Sequence, residues 1–187
     1  MVEGASDRDT ARAVVLAAGH QPGTVHDKGG KGKIDPLLKN YNLAARRTPW
    51  VVFRDTDSHC PVQLRESLLS DLDSISPYFE LRLAHSMTEA WLLADASGFA
   101  KFFQVSQARI PRDPEKLVHA KQEVLNQCRR SRSRRVREGM TAGNSEIGPL
   151  YVEMINRFAR EEWNVARAME RSESLERAVR RISSIGE

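Results

Sequence analysis

Two carboxylates one residue apart, Asp55 and Asp57, follow at once on the apolar run Trp50-Val51-Val52-Phe53 and Arg54. A parallel strand buried on both faces reads as a continuous apolar run, so this stretch predicts a short inner strand. In extended chain every second side chain points the same way, which would set Asp55 and Asp57 on one side at the strand's carboxyl end. Open α/β sheets bind their ligands at that end. Two hard oxygen donors held this close repel each other, and a divalent cation, Mg²⁺ or Mn²⁺, would relieve the repulsion. The plainer alternative is a strand followed by an Asp-rich turn, because Asp is a common turn and N-cap residue.

Other chemistry-bearing residues lie on both sides of that pair. Glu3 stands just before a loop-to-helix turn, where in a strand-loop-helix unit it would point into the same crevice; as a surface residue it would simply be solvated. Gly29-Gly30-Lys31-Gly32-Lys33 is no Walker A loop, since no Ser or Thr follows a Gly-Lys pair. Lys31 and Lys33 could meet phosphates from a mobile loop, or sit in a solvated turn. Further on, Arg129, Arg130, Arg132, Arg134 and Arg135 form a like-charge block of the kind that often binds nucleic acid, the alternative being a solvated loop.

The elements that must position these residues can be read in outline. Ala11, Val14, Val15 and Ala18 follow one helical stripe, with Ser6 as N-cap, Asp7 and Asp9 near the positive end of the dipole and Gly19 as the stop. Ile34 to Ala45 predicts a second helix with Pro36 near its first turn, and Pro61 opens a third carrying Leu64, Leu68, Leu69 and Leu72. Phe79-Glu80-Leu81-Arg82-Leu83 alternates as a half-buried strand does. Helix and strand in alternation imply a mostly parallel sheet with right-handed crossovers. Thr88 is expected to cap a helix from Glu89 to Asp95, in which Glu89 either turns toward the cleft or serves the helix dipole. Asp113-Pro114 predicts a helix through Leu117, Val124, Leu125 and Cys128. Met154, Ile155 and Phe158 mark another, and Leu175, Val179 and Ile182 a last one capped by Ser172.

With 187 residues, 40% of them hydrophobic and 29% charged, the chain is sized for one domain or one domain with an extension. No run of about 18 apolar residues predicts a transmembrane helix. The acidic N-terminal segment lacks the apolar core of a signal peptide. Cys60 and Cys128 show no zinc-like spacing, which suggests a reduced cytoplasmic setting. A net charge of +4 permits a polyanionic partner without requiring one.

Glu3 in a Glu-Gly-x-x-Asp opening, a glycine-bearing middle and a hydrophobic strand ending in Asp-x-Asp together resemble the Toprim domain of topoisomerases, primases and small nucleases. More narrowly, Thr88-Glu89-Ala90-Trp91-Leu92-Leu93-Ala94-Asp95 resembles a segment of the Toprim-like DUF4276 family. The Pro114-to-Leu125 stretch with Lys121 does so too, as does the tail with Trp163, Ala168 and Ser172-Glu173-Ser174-Leu175. The resemblance implies an α/β domain, a mostly parallel sheet flanked by helices over residues 1–96, followed by a helical C-terminal extension, 97–187, with an Arg-rich loop at 129–148. It also implies that Asp55 and Asp57, with Asp7 and Glu89, hold Mg²⁺ or Mn²⁺ and that Glu3 acts as general acid/base or further ligand. One departure is that only Met1 and Val2 precede Glu3: either the true start lies upstream, which is the expectation, or the first strand is a stub.

These features point to a metal-dependent phosphodiester nuclease whose lysines and arginines neutralise nucleic-acid phosphates, largely without regard to sequence. The resemblance adds a phage-defence setting with a partner ATPase or another defence-system protein. The alternative is a Toprim-like module that binds a nucleotide or a partner without turnover. A metal-dependent glycosyltransferase also uses Asp-x-Asp, but would leave Glu3 before a capped helix unexplained. The chain is too short for a topoisomerase or primase.

Overall fold

A computed structural model gives the fold, with residues 1–143 and 146–186 described. The protein is mixed α/β: a small parallel sheet flanked by helices. The elements in chain order are α1 (Arg8–Ala17), α2 (Lys31–Ile34), α3 (Leu38–Ala44), β1 (Trp50–Asp55), α4 (Pro61–Leu69), β2 (Phe79–Ala84), α5 (Thr88–Ala94) and α6 (Ala96–Phe103). Then come α7 (Ala120–Arg129), α8 (Arg134–Met140), the two-residue strands β3 (Thr141–Ala142) and β4 (Glu146–Ile147), α9 (Tyr151–Glu161), α10 (Val165–Met169) and α11 (Glu173–Ser183).

β1 and β2 run parallel, from Trp50 opposite Phe79 to Asp55 opposite Ala84. Successive β1 side chains serve opposite faces, as the pleat demands. Phe53 enters a large core with Val14, Trp91, Phe99, Phe158 and Ile182, while Val52 enters a smaller one with Ile34, Leu38, Leu69 and Leu81. Both faces of β1 are therefore buried, as its unbroken apolar run predicts. The larger core draws on residues from both sides of position 96.

Residues 1–3 lie along the other edge of β1. The Met1 amino group donates to the Val51 carbonyl at 2.8 Å and the Phe53 amide donates to the Met1 carbonyl at 2.9 Å. Val2 in turn forms a parallel bridge with Asp27, its amide donating to the His26 carbonyl at 2.9 Å. The stub thus occupies an inner position of the sheet, between the 26–28 segment and β1.

Several local expectations are corrected. Ser6 does not cap α1: residues Ala5–Asp7 form a 3-10 turn, and Ser6 instead donates to Asp7. The helix expected over 34–45 is split into α2, a 3-10 turn at Asp35–Leu37 and α3. Gly29 and Gly30, at φ +71° and +112°, supply a left-handed backbone immediately before α2, which already includes Lys31 and Lys33. Only a 3-10 turn, Pro114–Lys116, forms where a helix was expected from Pro114, and α7 begins at Ala120.

The Arg-rich segment is not one long loop. Arg129 ends α7, and Arg134 and Arg135 open α8, whose N-cap Ser133 accepts from the Val136 amide. Arg134 pairs with Glu138 at 2.7 Å and Arg135 with Glu153 at 3.6 Å, so acidic neighbours offset part of the repulsion that the sequence suggests. Positions 144 and 145 of that segment lie outside the described residues. Ser172 does cap α11, accepting from the Leu175 amide. No helix among the described residues is long and apolar enough to cross a membrane.

Candidate functional site

The acidic residues gather around the carboxyl end of β1: Asp55 ends that strand, Glu3 follows the stub, Asp7 closes the 3-10 turn and Glu89 lies in α5. Glu3 follows the stub strand, and its Oε1 accepts from the Asp55 amide at 2.8 Å, taking the position a backbone carbonyl would hold in a longer ladder. Asp55 ends β1, and its Oδ1 accepts from both the amide and the hydroxyl of Thr88, at 2.9 and 2.8 Å. Thr88 was expected to cap α5; the N-cap is Met87, and Thr88 binds Asp55 instead.

Asp7 is tied to the Gly4 amide at 3.0 Å and to the Ser6 hydroxyl at 3.2 Å. Glu89, 2% exposed on α5, accepts from the Tyr151 hydroxyl at 2.7 Å and pairs with Lys121 at 3.2 Å. Here α5, α7 and α9 converge, each contributing one member of that contact.

Asp7, Asp55 and Glu89 form an inner lobe. Burial pushes the Asp7 carboxyl up to about 6, and the Glu89 carboxylate adds to the shift. Burial, then Glu89 and Asp7, hold Asp55 well above the usual carboxylate range. Burial alone would lower the Lys121 ammonium, but Glu89, Asp7 and Asp55 together raise it. Burial and the adjacent Glu89 drive the Tyr151 hydroxyl upward too. Three carboxylates thus lean on one ammonium, whose Nζ also lies 5.9 Å from the centroid of the Tyr151 ring.

Asp57 belongs to an outer lobe with Glu3 and Asp35. The strand ends at Asp55, and Asp57 takes φ +47°, so the alternation that would have set the two aspartates side by side is broken. Its Oδ2 receives Lys31 at 2.8 Å and Arg54 at 3.2 Å. Those two cations, working against burial, hold Asp57 below the usual carboxylate range. Arg54 is the hub of this lobe. Only 5% exposed, it lies 3.1 Å from Glu3, 3.1 Å from Asp35 and 3.2 Å from Asp57, and also donates to the Asp55 carbonyl. Burial raises Glu3, with its Asp55 and Arg54 contacts working the other way.

Sequence reasoning grouped Glu3, Asp7, Asp55, Asp57 and Glu89 and gave Lys31 a phosphate-meeting loop or a solvated turn; the structure brings all six together in these two lobes. Lys33 shares α2 with Lys31. Arg130, Arg132, Arg134 and Arg135 are exposed around the α7–α8 junction, and Arg129 is held by Asn126 at 3.3 Å. Asp35, Arg54, Thr88 and Tyr151 were missed. Arg54 had a readable signal, a lone charge inside an apolar strand; Tyr151 had none, because it reaches Glu89 from 62 positions away.

The donors of the inner lobe are hard oxygens in excess over their cation, so in type and charge they fit a hard divalent ion. As placed, no group of three His, Cys, Asp or Glu side chains among the described residues is arranged to hold a metal ion, so the carboxylates would have to turn toward one another to bind. The comparisons supply no counterpart: no family model, curated protein or solved structure matches the chain.

Proposed function

We propose that this protein is a Mg²⁺- or Mn²⁺-dependent phosphodiester hydrolase acting on nucleic acid, built on a Toprim-like domain. The observation that carries the reading is the inner lobe: Asp7, Asp55 and Glu89, under-neutralised, with Asp55 at the carboxyl end of a parallel strand. These three would hold the cation, which when bound polarises a phosphate and favours deprotonation of water. Thr88 holds Asp55, while Tyr151 and Lys121 hold Glu89, contacts that would have to loosen as the carboxylates turn toward the ion.

Hydrolysis forms a bond from the oxygen of water to phosphorus and breaks one P–O ester bond. One proton leaves the water and one joins the departing oxygen. Glu3, half-buried and with its carboxyl raised by burial, would carry the proton. Both of its polar contacts in this site use Oε1. Lys31, Lys33 and the exposed arginines of α7 and α8 would neutralise backbone phosphates, making binding sensitive to salt. A phage-defence role with a partner ATPase extends this reading on the strength of the sequence resemblance alone.

The test is cleavage of labelled single- and double-stranded DNA and RNA with Mn²⁺ or Mg²⁺, with wild type beside Asp55→Ala/Asp57→Ala and circular dichroism as a check on folding. Loss of cleavage in a folded double variant is expected. Undiminished cleavage would overturn the assignment. A second reading, a non-catalytic module that binds a nucleotide or partner, is favoured by the pairing of all three outer-lobe carboxylates with Arg54. Metal binding without cleavage on any substrate would select it.

A further inference from the structure

We propose that a cleft at the amino end of β1 binds a small, uncharged heteroaromatic molecule of nucleobase type, stacked on Trp50. The inference is independent of the metal-dependent reading, because the acids gather at the opposite end of that strand. The cleft measures about 460 Å³, within the range of small-molecule sites. β1 contributes Trp50, Val51 and Phe53 to its walls, α1 contributes Ala11 and Val15, and α11 contributes Ile182. The chain leaves α1 at Gly19, with φ +86°, and rejoins the sheet only at the Val2–Asp27 bridge; residues 20–26 between these points line the rest of the cleft.

The lining selects the guest by charge and by shape. Among the described residues no Lys, Arg, Asp or Glu lines the cleft, so an ionic group entering it would lose its hydration with no opposite charge to offset the loss. Trp50 is half-buried and held in place by the buried Tyr41, whose ring stacks on it at 4.9 Å. His26, exposed and also lining the cleft, lies 6.3 Å from Trp50 and 24° from parallel. That separation is toward the long end of the range for stacked rings, about 4.5–7 Å, so the contact is loose and a planar guest replaces it at small cost. A fixed indole favours a flat guest over a rounded one of equal volume, because only the flat one meets the whole ring face.

His20 adds a polar criterion. Its Nε2 lies 2.9 Å from the Ile182 carbonyl, which can only accept, so Nε2 carries the hydrogen and donates. The neutral ring then keeps Nδ1 as an acceptor in the cleft lining, and a guest with an N–H donor satisfies it. Flatness, neutrality and an N–H donor together describe a nucleobase or a close analogue.

The experiment is calorimetric titration of the full chain with adenosine, with its 6-dimethylamino analogue, which lacks the N–H donor, and with cyclohexanol, which lacks the flat ring. Wild type runs beside Trp50→Leu, Val15→Phe and His20→Leu, each checked for folding by circular dichroism. Wild type should bind adenosine with a Kd on the order of 0.1 mM and quench Trp fluorescence as it does so. Trp50→Leu, which removes the stacking face, should weaken binding at least about fivefold, and Val15→Phe, which fills the cleft, by as much or more. Wild type should prefer adenosine to the dimethylamino analogue, and His20→Leu should bind the two alike. No adenosine binding by wild type at about 1 mM, undiminished binding by folded Val15→Phe, or cyclohexanol binding as tightly as adenosine would each overturn the proposal. If Trp50→Leu does not fold, Val15→Phe decides. None of these outcomes bears on metal-dependent cleavage, so the two readings fail separately.

Discussion

Asp95 and Asp55 are both acids at the end of an element, and their surroundings differ in one respect. Asp95, buried between α5 and α6, accepts from the Ser97 hydroxyl, from the Gly98 and Asn164 amides and from two nitrogens of Arg167. Despite its burial, these donors hold its carboxyl below the usual range. Asp55 receives two donors, both from Thr88, and faces Glu89, Asp7 and Glu3. The first site is satisfied and closed, tying α6 to α10. The second stores repulsion that only a proton or a cation relieves. A carboxylate with raised pKa among like charges marks a functional candidate more firmly than burial does.

The sharpest way to break this contrast is to remove each acid. Asp95→Ala takes away the cap of α6 and the charge-assisted bonds to Arg167, and should lower stability by about 3 kcal/mol in urea unfolding. A variant unfolding at the wild-type midpoint would show that Asp95 is not the clamp described. Next, Mn²⁺ at about 100 times its dissociation constant should stabilise wild type by about 2.7 kcal/mol, read as a thermal shift. Asp55→Asn should show no such shift.

A smaller effect comes from Asp7, whose carboxyl stands at about 6 in place of the ordinary 3.8. Below the lower value, folded and unfolded chains both carry the proton. Between the two values the unfolded chain releases it first, so stability falls as pH rises through that window, and above about 6 the loss is complete. Asp7→Asn should therefore raise stability at pH 7.5 by on the order of 1–2 kcal/mol, with the gain vanishing near pH 4. An equal gain at both pH values would rule out a titration effect.

The smallest effect expected is at Trp91, whose indole donates to Ser174 at 2.7 Å while Ser174 donates onward to Glu115. Trp91→Phe loses that one bond and should cost about 1 kcal/mol with the metal-induced shift unchanged. This network explains why Trp91 and the Ser172–Ser174 tail belong together: α11 is fastened to α5 through them and through Glu115, which also receives the Ser172 hydroxyl at 2.7 Å.

Residue type and spacing by themselves determined the local elements. The apolar run before Asp55 made β1 a strand buried on both faces; alternation made β2; the stripe of Ala11, Val14 and Ala18 made α1, stopped at Gly19 with φ +86°. Pro61 and Ser172 marked helix starts that the structure keeps. Each of these depends on interactions within a few residues, and so each could be read from the chain. The grouping of Glu3, Asp55, Asp57 and Glu89 was legible as an expectation from alternation and helix starts, and Asp7 joined it only through the family resemblance. Which of them meet was decided by tertiary structure alone. Two consecutive left-handed residues, Asp57 and Ser58, ended the extended run, so that Asp57 meets Lys31 and Arg54, and the packing of α7 and α9 against α5 brought Lys121 and Tyr151 to Glu89 from distant sequence. Coulomb forces act through space and take no account of sequence separation, so the charge balance of this site is set only once the whole chain has folded.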